Sequence, residues 1–233
     1  MIRRIHQRLK SWQDRLGVTY GSDISTPQAR RAAKLHFHLS DHAFLRGWWT
    51  NLRQVAPGVY RSNQPSPQRF AHLKRLGIRT IVNLRGQAGQ SFWLFEREAC
   101  AAHGITMIDL AMSAKRAPVP ATLLTLLDLF RTAEQPLLVH CKSGADRTGL
   151  AAALYLIDVE GRPVAEAARQ LSWRTLHLQS GPTGILDHFL RTYARAQAAS
   201  GVSLRDWIAT GYDPADLTAS YARWQARGKA GPW

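Results

Sequence analysis

The chain has 233 residues, 45% hydrophobic and 20% charged, a balance that excludes disorder and supplies apolar material for one ample core. Lys and Arg number 31 against 16 Asp and Glu, a net charge of +15, which predicts attraction to anions: phosphates, nucleic acid or an acidic membrane face. Two cysteines, Cys100 and Cys141, exclude a disulfide framework and fit a reducing compartment.

From the N-terminus, Ile2, Ile5, Leu9, Trp12 and Leu16 recur at three- and four-residue steps, one apolar stripe on a helix whose other faces carry Arg3, Arg4, Arg8, Lys10 and Arg15. Such a helix either docks on the main body or meets a membrane surface or partner. Phe44, Leu45, Trp48 and Trp49 follow and are expected to bury apolar area. From Pro57 the pattern alternates. Residues 59–61 read as a short strand, Ser62-Asn63-Gln64-Pro65 as a turn, and residues 67–76 as a helix with Pro67 at its start and Gly77 at its end. Residues 78–84 (IRTIVNL) read as a buried strand. A helix through Trp93 to His103 is closed by Gly104, and residues 105–112 form the next strand. Residues 118–132 are helical, residues 136–140 (PLLVH) a short apolar strand, and an apolar helix begins near Arg147. Everything from about Pro163 to Ala226 reads as helical.

Strand, loop and helix repeated in this way predict an α/β fold, a central mainly parallel sheet flanked by helices, with helical N- and C-terminal extensions. The expected division is a basic helical extension over residues 1–56, a catalytic domain over 57–200 and a helical tail over 201–233. The longest apolar run, residues 150–159, is half of what a membrane span of about 20 residues requires. The charged N-terminus lacks the continuous apolar stretch of a signal peptide. The expected location is the cytoplasm, with peripheral contact at an anionic inner membrane surface left open.

The segment His140-Cys141-Lys142-Ser143-Gly144-Ala145-Asp146-Arg147-Thr148-Gly149 carries the chemistry. A loop after a buried strand lies at the carboxyl edge of the sheet, where α/β proteins bind ligands. Gly144 lets the backbone curl, so that the N–H groups of Lys142, Ser143, Gly144 and Ala145 converge on an anion. The following helix adds the positive end of its dipole, and Arg147 can fork two donors onto phosphate oxygens. A thiol at the floor of that cradle is stabilised as the thiolate by the same groups, which suits attack on phosphorus.

These residues resemble the HCx5R loop, followed by Ser or Thr, of the cysteine-dependent protein-tyrosine and dual-specificity phosphatase superfamily. With VYRSNQPSPQ and LGIRTIVNLR, the resemblance runs from about Val59 to Tyr193 and is nearest to the compact atypical dual-specificity type of bacteria, fungi and plants. It implies that Cys141 is the nucleophile of a phosphocysteine intermediate and that Arg147 binds the phosphoryl group. It further implies that Thr148 assists the departing thiolate, that His140 tunes Cys141, and that neither metal nor other cofactor is needed. The alternatives are a structural cysteine in a strand-to-helix turn and a non-catalytic phosphate-binding module that retains the cradle.

A leaving oxygen needs a proton donor within hydrogen-bond reach. No Trp-Pro-Asp triplet exists, and the only acid before Pro118 in its segment is Asp109, inside a predicted strand. Asp146 is the better candidate: it precedes Arg147 as in the CxxGxDR loops of myotubularin-like and certain bacterial tyrosine or lipid phosphatases. Capping of the helix is its other reading. Arg61 and Arg85, each ending a predicted strand, are candidate substrate contacts or else solvated surface charges. Lys142 is the nearest extra cation. Cys100 reads as a small buried apolar residue, Trp173 as core or pocket wall, and residues 184–187 as helix packing. His36, His38 and His42 do not have the spacing of a zinc site. The expected substrate is a phosphorylated protein, with inositol or lipid phosphates as the alternative; no nucleic acid is expected, because the charge comes without a recognisable motif.

Overall fold

The computed structural model describes residues 21–41 and 43–227. The amphipathic stripe expected over residues 2–16 lies outside them, as does His42. Five strands form one sheet: β1 (Arg53–Ala56), β2 (Val59–Asn63), β3 (Thr80–Asn83), β4 (Thr106–Asp109) and β5 (Leu137–Cys141), in the order β1-β2-β5-β3-β4. β1 runs antiparallel to β2, and every other pair is parallel. The fold class is the expected one.

The central strands are short and buried on both faces. In β5, Leu137, Val139 and Cys141 point into one core, while Leu138 points into the other; this alternation follows from the two-residue period of the pleat. The larger core takes up the apolar faces of α5 (Pro120–Thr132), α6 (Asp146–Asp158) and α8 (Ile185–Ser200). α6 is buried through most of its length, Thr148 to Ile157. The opposite core joins α3 (Phe70–Arg75) and α4 (Ser91–His103) to the sheet through Phe70, Leu73, Ile81 and Leu138, with Cys100 buried among them. Gly104 ends α4 in the left-handed conformation at φ 62°, the position glycine tolerates best.

Residues before β1 belong to the packed body. α1 (Pro27–Leu39) and α2 (Ala43–Trp48) lay Ala33, Phe37 and Ala43 against Phe92, Trp93 and Phe95 of α4. At the other end Leu204, Trp207, Tyr212 and, in α9 (Pro214–Ala226), Leu217 and Tyr221 join the larger core.

Three expectations need correction. The strands are shorter than the apolar runs: β3 holds four residues of the seven, and β4 stops at Asp109, although Leu110 and Met112 still donate to the carbonyls of Asn83 and Leu84. The tail is not helical throughout, since after α7 (Val164–Ala167) residues 171–184 run as turns and single 3₁₀ turns, with Leu176 at φ 66° and Pro182 barring a continuous helix. Phe44 and Trp48, expected to bury apolar area, are 53% and 94% exposed; Trp173, read as core or pocket wall, lines a surface pocket with Ser172 and Leu178, Arg174 lying over its ring at 5.8 Å.

Candidate active site

β5 delivers Cys141 to the carboxyl edge of the sheet, and the chain turns through residues 142–145 into α6. Cys141 is 1% exposed. Burial by itself raises a thiol. Here the Arg147 guanidinium, then the hydroxyl and N–H of Thr148 and the N–H of Gly144, outweigh burial and bring it below its ordinary value. Of the four loop N–H groups expected in the cradle, that of Gly144 reaches the sulfur, and the N–H and hydroxyl of Thr148 join it. Arg147 is fixed from behind by the carbonyls of Leu84 (3.2 Å) and Met112 (3.4 Å), both accepting from Nη1. Its Nε is buried with no hydrogen-bond partner, a donor left for an anion.

Two features hold the loop in this shape. Gly144 has φ 73°, and a Cβ there would sit 2.6 Å from the backbone of Ser62 and Asn63. Both the conformation and the close approach exclude a side chain. Gly144→Ala is expected to lower turnover at least about tenfold, since it displaces the loop whose amides face the sulfur; unchanged activity would show the loop tolerates the shift.

The second feature corrects an expectation. Arg61 is neither a substrate contact nor a solvated charge. It is 1% exposed, donating from Nη2 to the carbonyl of Gly144 (2.7 Å) and from Nη1 to the carbonyl and side-chain oxygen of Gln170 (2.8 and 2.7 Å). Burial pushes its guanidinium down to about 10, and the charge of Cys141 opposes the fall. By binding the loop's carbonyls beneath, Arg61 leaves the amide side of those peptides free to face the sulfur.

Arg85 is likewise held inside. It pairs bidentately with Asp41 at 2.8 and 3.1 Å, donates to Gln64 Oε1 and stacks on the Phe92 ring at 3.4 Å. Asp41 also takes Arg46 at 2.6 Å and Lys142 at 3.3 Å. Burial drives its carboxyl upward, but Arg85 first, then Arg46 and Lys142, hold it down at about 2. Gln64 donates to Glu96 (2.6 Å), and Glu96 lies 2.8 Å from His140 Nε2. His140 is thereby fixed on the sheet face opposite Cys141. Its Nδ1 reaches the Cys141 carbonyl at 3.2 Å.

Above the loop lies a cleft of about 380 Å³ lined by Asp41, Arg46, Lys142, Ser143, Asp146 and Arg147, with Trp49 and Leu176 among its walls. Cys141 lies behind this lining, at the buried end of β5.

Asp146 does not cap α6; its helix has no side-chain cap bond. Its Oδ1 instead lies 2.7 Å from Nδ1 of His177, whose Nε2 lies 2.6 Å from Oδ2 of Asp187 at the start of α8. Gln179 donates to the other Asp187 oxygen at 2.8 Å. Burial lowers an imidazole, yet the two carboxylates prevail and push His177 up to about 9. His177 carries no signal in the sequence, lying in a stretch that reads as helical, and Asp187 is legible only as part of a helix-packing segment. Asp109, the other candidate acid, is occupied: its oxygens accept from Asn83 Nδ2 (2.7 Å) and Trp93 Nε1 (2.8 Å), two strands away from β5.

The elevated histidine carries a stability consequence. Its folded value lies above the ordinary 6.5, so its contribution is fully present below about pH 6.5 and lost as pH rises through about 9. Denaturant titrations should show wild type losing about 2 kcal/mol more than His177→Gln between pH 7 and pH 10. Parallel curves would mean that the proton is not held there.

Comparison with known proteins agrees with this geometry. Residues 47–181, more than half of the chain, match the family described as DSP-PTPase phosphatase fused to NAD+ kinase. The chain belongs to this family. Among curated proteins, the dual specificity protein phosphatase TpbA of Pseudomonas aeruginosa (strain UCBPP-PA14) is 35% identical over 113 residues, covering 48% of this chain and 48% of that protein. Inositol diphosphatase DSP3 of Arabidopsis thaliana is 32% identical over 105 residues, 43% of this chain and 50% of the relative. The chain thus spans about half the length of the curated relatives it matches. The crystal structure of P. aeruginosa TpbA superposes with a TM-score of 0.52 at 27% identity, covering 64% of this chain and 91% of that one. Among the described residues, no helix is long and apolar enough to cross a membrane.

Proposed function

We propose that this member of the family hydrolyses phosphomonoesters through a phosphocysteine intermediate, with phosphotyrosyl and related phosphoprotein groups as its main substrates. The observation that carries the reading is the set of donors converging on Cys141, which favours the thiolate despite complete burial. Support comes from the relative TpbA, whose cysteine-to-serine form has been crystallised in complex with phosphotyrosine.

In this reading the Cys141 thiolate attacks phosphorus, the bond to the leaving oxygen breaks, and Asp146 supplies that oxygen with a proton. Arg147 and the loop amides hold the equatorial oxygens, whose charge is best stabilised by fixed donors. Asp146 then takes a proton from water as the water attacks phosphorus. The S–P bond breaks and Thr148 donates its hydroxyl hydrogen bond to the returning thiolate. Inorganic phosphate leaves. Every proton returns to its starting place.

A second reading, hydrolysis of inositol or lipid phosphates by the same steps, is favoured by Arg46 and Lys142 in the cleft lining and by the relatives named inositol diphosphatases. Phosphate release from an aryl phosphate, a phosphotyrosyl peptide and an inositol pyrophosphate, compared between wild type and Cys141→Ser, tests both. Turnover of none of the three by wild type sinks the phosphatase reading in favour of a phosphate-binding module.

A further inference from the structure

We propose that the apolar surface beside the cleft is a docking surface for an anionic lipid bilayer, formed by Phe44, Trp48 and Trp49 of one stretch and Trp173, Leu176 and Leu178 of another. Ten large hydrophobic residues are exposed among the described residues, and six of them are these. Trp48 is 94% exposed and Leu178 63%. Scattered apolar side chains need no explanation, but six concentrated on two short stretches of chain do.

The two stretches are sewn together. Asn51 donates from Nδ2 to the carbonyls of Ser143 (2.9 Å) and Thr175 (3.0 Å), and Arg53 donates to the carbonyl of Arg174 at 3.4 Å. Trp49 and Leu176 both line the cleft, so the apolar surface continues into the site, while Trp173 and Leu178 line a second pocket. α1, which packs against the same region, adds exposed Leu35 and Leu39.

Charge identifies the occupant. Arg31, Lys34, Arg53 and Arg174 are exposed around these stretches with no salt bridge among the described residues, whereas Arg30 is paired with Glu98 and the buried Arg46 with Asp41. Tryptophan side chains carry both an apolar body and an N–H donor, the combination that suits the boundary between headgroups and acyl chains. A surface that is apolar at its tips and cationic around them matches a bilayer bearing negative headgroups, where buried apolar area and electrostatic attraction act together. The consequence for chemistry rests on the phosphatase reading: a substrate phosphate would be met at the membrane surface, beside the cleft that Trp49 and Leu176 line.

The test is sedimentation of the full chain with vesicles of phosphatidylcholine alone and of phosphatidylcholine with phosphatidylglycerol. Wild type should bind the anionic vesicles and be released by salt. The double variant Trp48→Ala, Trp173→Ala should bind them about tenfold more weakly, with unchanged hydrolysis of a soluble aryl phosphate and an unchanged melting temperature. Equal binding to both vesicle types overturns the proposal. So does wild-type binding by the variant, which would place the contact elsewhere, as in residues 1–20. A fall in melting temperature would show that the tryptophans pack within the chain, and a wild-type dimer dissolved by the substitutions without vesicles would make this a self-association surface; either overturns it. The vesicle measurement decides the docking surface and the aryl phosphate assay decides the active site, so the two readings fail separately.

Discussion

Cys141→Ser is expected to lower phosphate release by about 10⁴-fold or more while leaving the fold intact, because it removes the attacking atom and little else. A serine oxygen is smaller than sulfur and does not ionise at neutral pH, so the donors that favour the thiolate, Arg147, Thr148 and the Gly144 amide, have no anion to stabilise. The cradle itself should survive. Arg61 still ties down the loop carbonyls and Arg147 still rests on Leu84 and Met112, so the variant should bind inorganic phosphate as well as wild type or better. Arg147→Lys supplies the contrast. A lysine keeps the charge but loses the planar fork, and its turnover should fall by about 10²-fold or more with weakened phosphate binding as well. Turnover by Cys141→Ser within an order of magnitude of wild type would remove the nucleophile from Cys141 and the mechanism with it.

What the sequence made legible follows from contiguity. The strand, the turn and the helix N-terminus that build the anion cradle occupy residues 137–149 without interruption, so their residue types and order describe the local geometry directly. Gly144 could be assigned its turn for the same reason. Arg61 could not be assigned: a buried arginine that holds loop carbonyls and an exposed one that meets substrate look alike at the end of a strand, and only the packing of β2 beside β5 separates them. The same holds for Arg85 and its pairing with Asp41, 44 residues earlier. His177 and Asp187 come to Asp146 because residues 171–184 turn back over the site instead of continuing as helix. Apolar periodicity does not report such a turn when its own residues, Leu176 and Leu178, are themselves apolar. Trp48 was misplaced as well, 94% exposed where burial was expected, since burial is the usual fate of tryptophan and its exposure has a reason only in what the surface meets.

The proton for the leaving group gives the second large effect. Asp146→Asn should slow hydrolysis of alkyl phosphates by about 10²- to 10³-fold and of p-nitrophenyl phosphate by less than about tenfold, because only a poor leaving group needs the proton in the transition state. Equal losses on both substrates would assign Asp146 a structural role. His177 then decides where the proton comes from. Pushed up to about 9 between Asp146 and Asp187, the imidazole carries a proton at neutral pH, 2.7 Å from the Asp146 oxygen. Moving that proton to Asp146 as the P–O bond breaks leaves a neutral imidazole, and the proton taken later from water restores it. Wild-type turnover of alkyl phosphates should accordingly persist until the pH approaches 9 and decline above it. In His177→Gln the amide can keep a hydrogen bond to Asp146 but stores no proton. The alkaline decline near 9 should be lost, with a fall of about tenfold or more at pH 7 confined to poor leaving groups. A pH profile that keeps its alkaline limb in place would mean that His177 only anchors residues 171–184 to the head of α6, and that Asp146 obtains its proton from solvent.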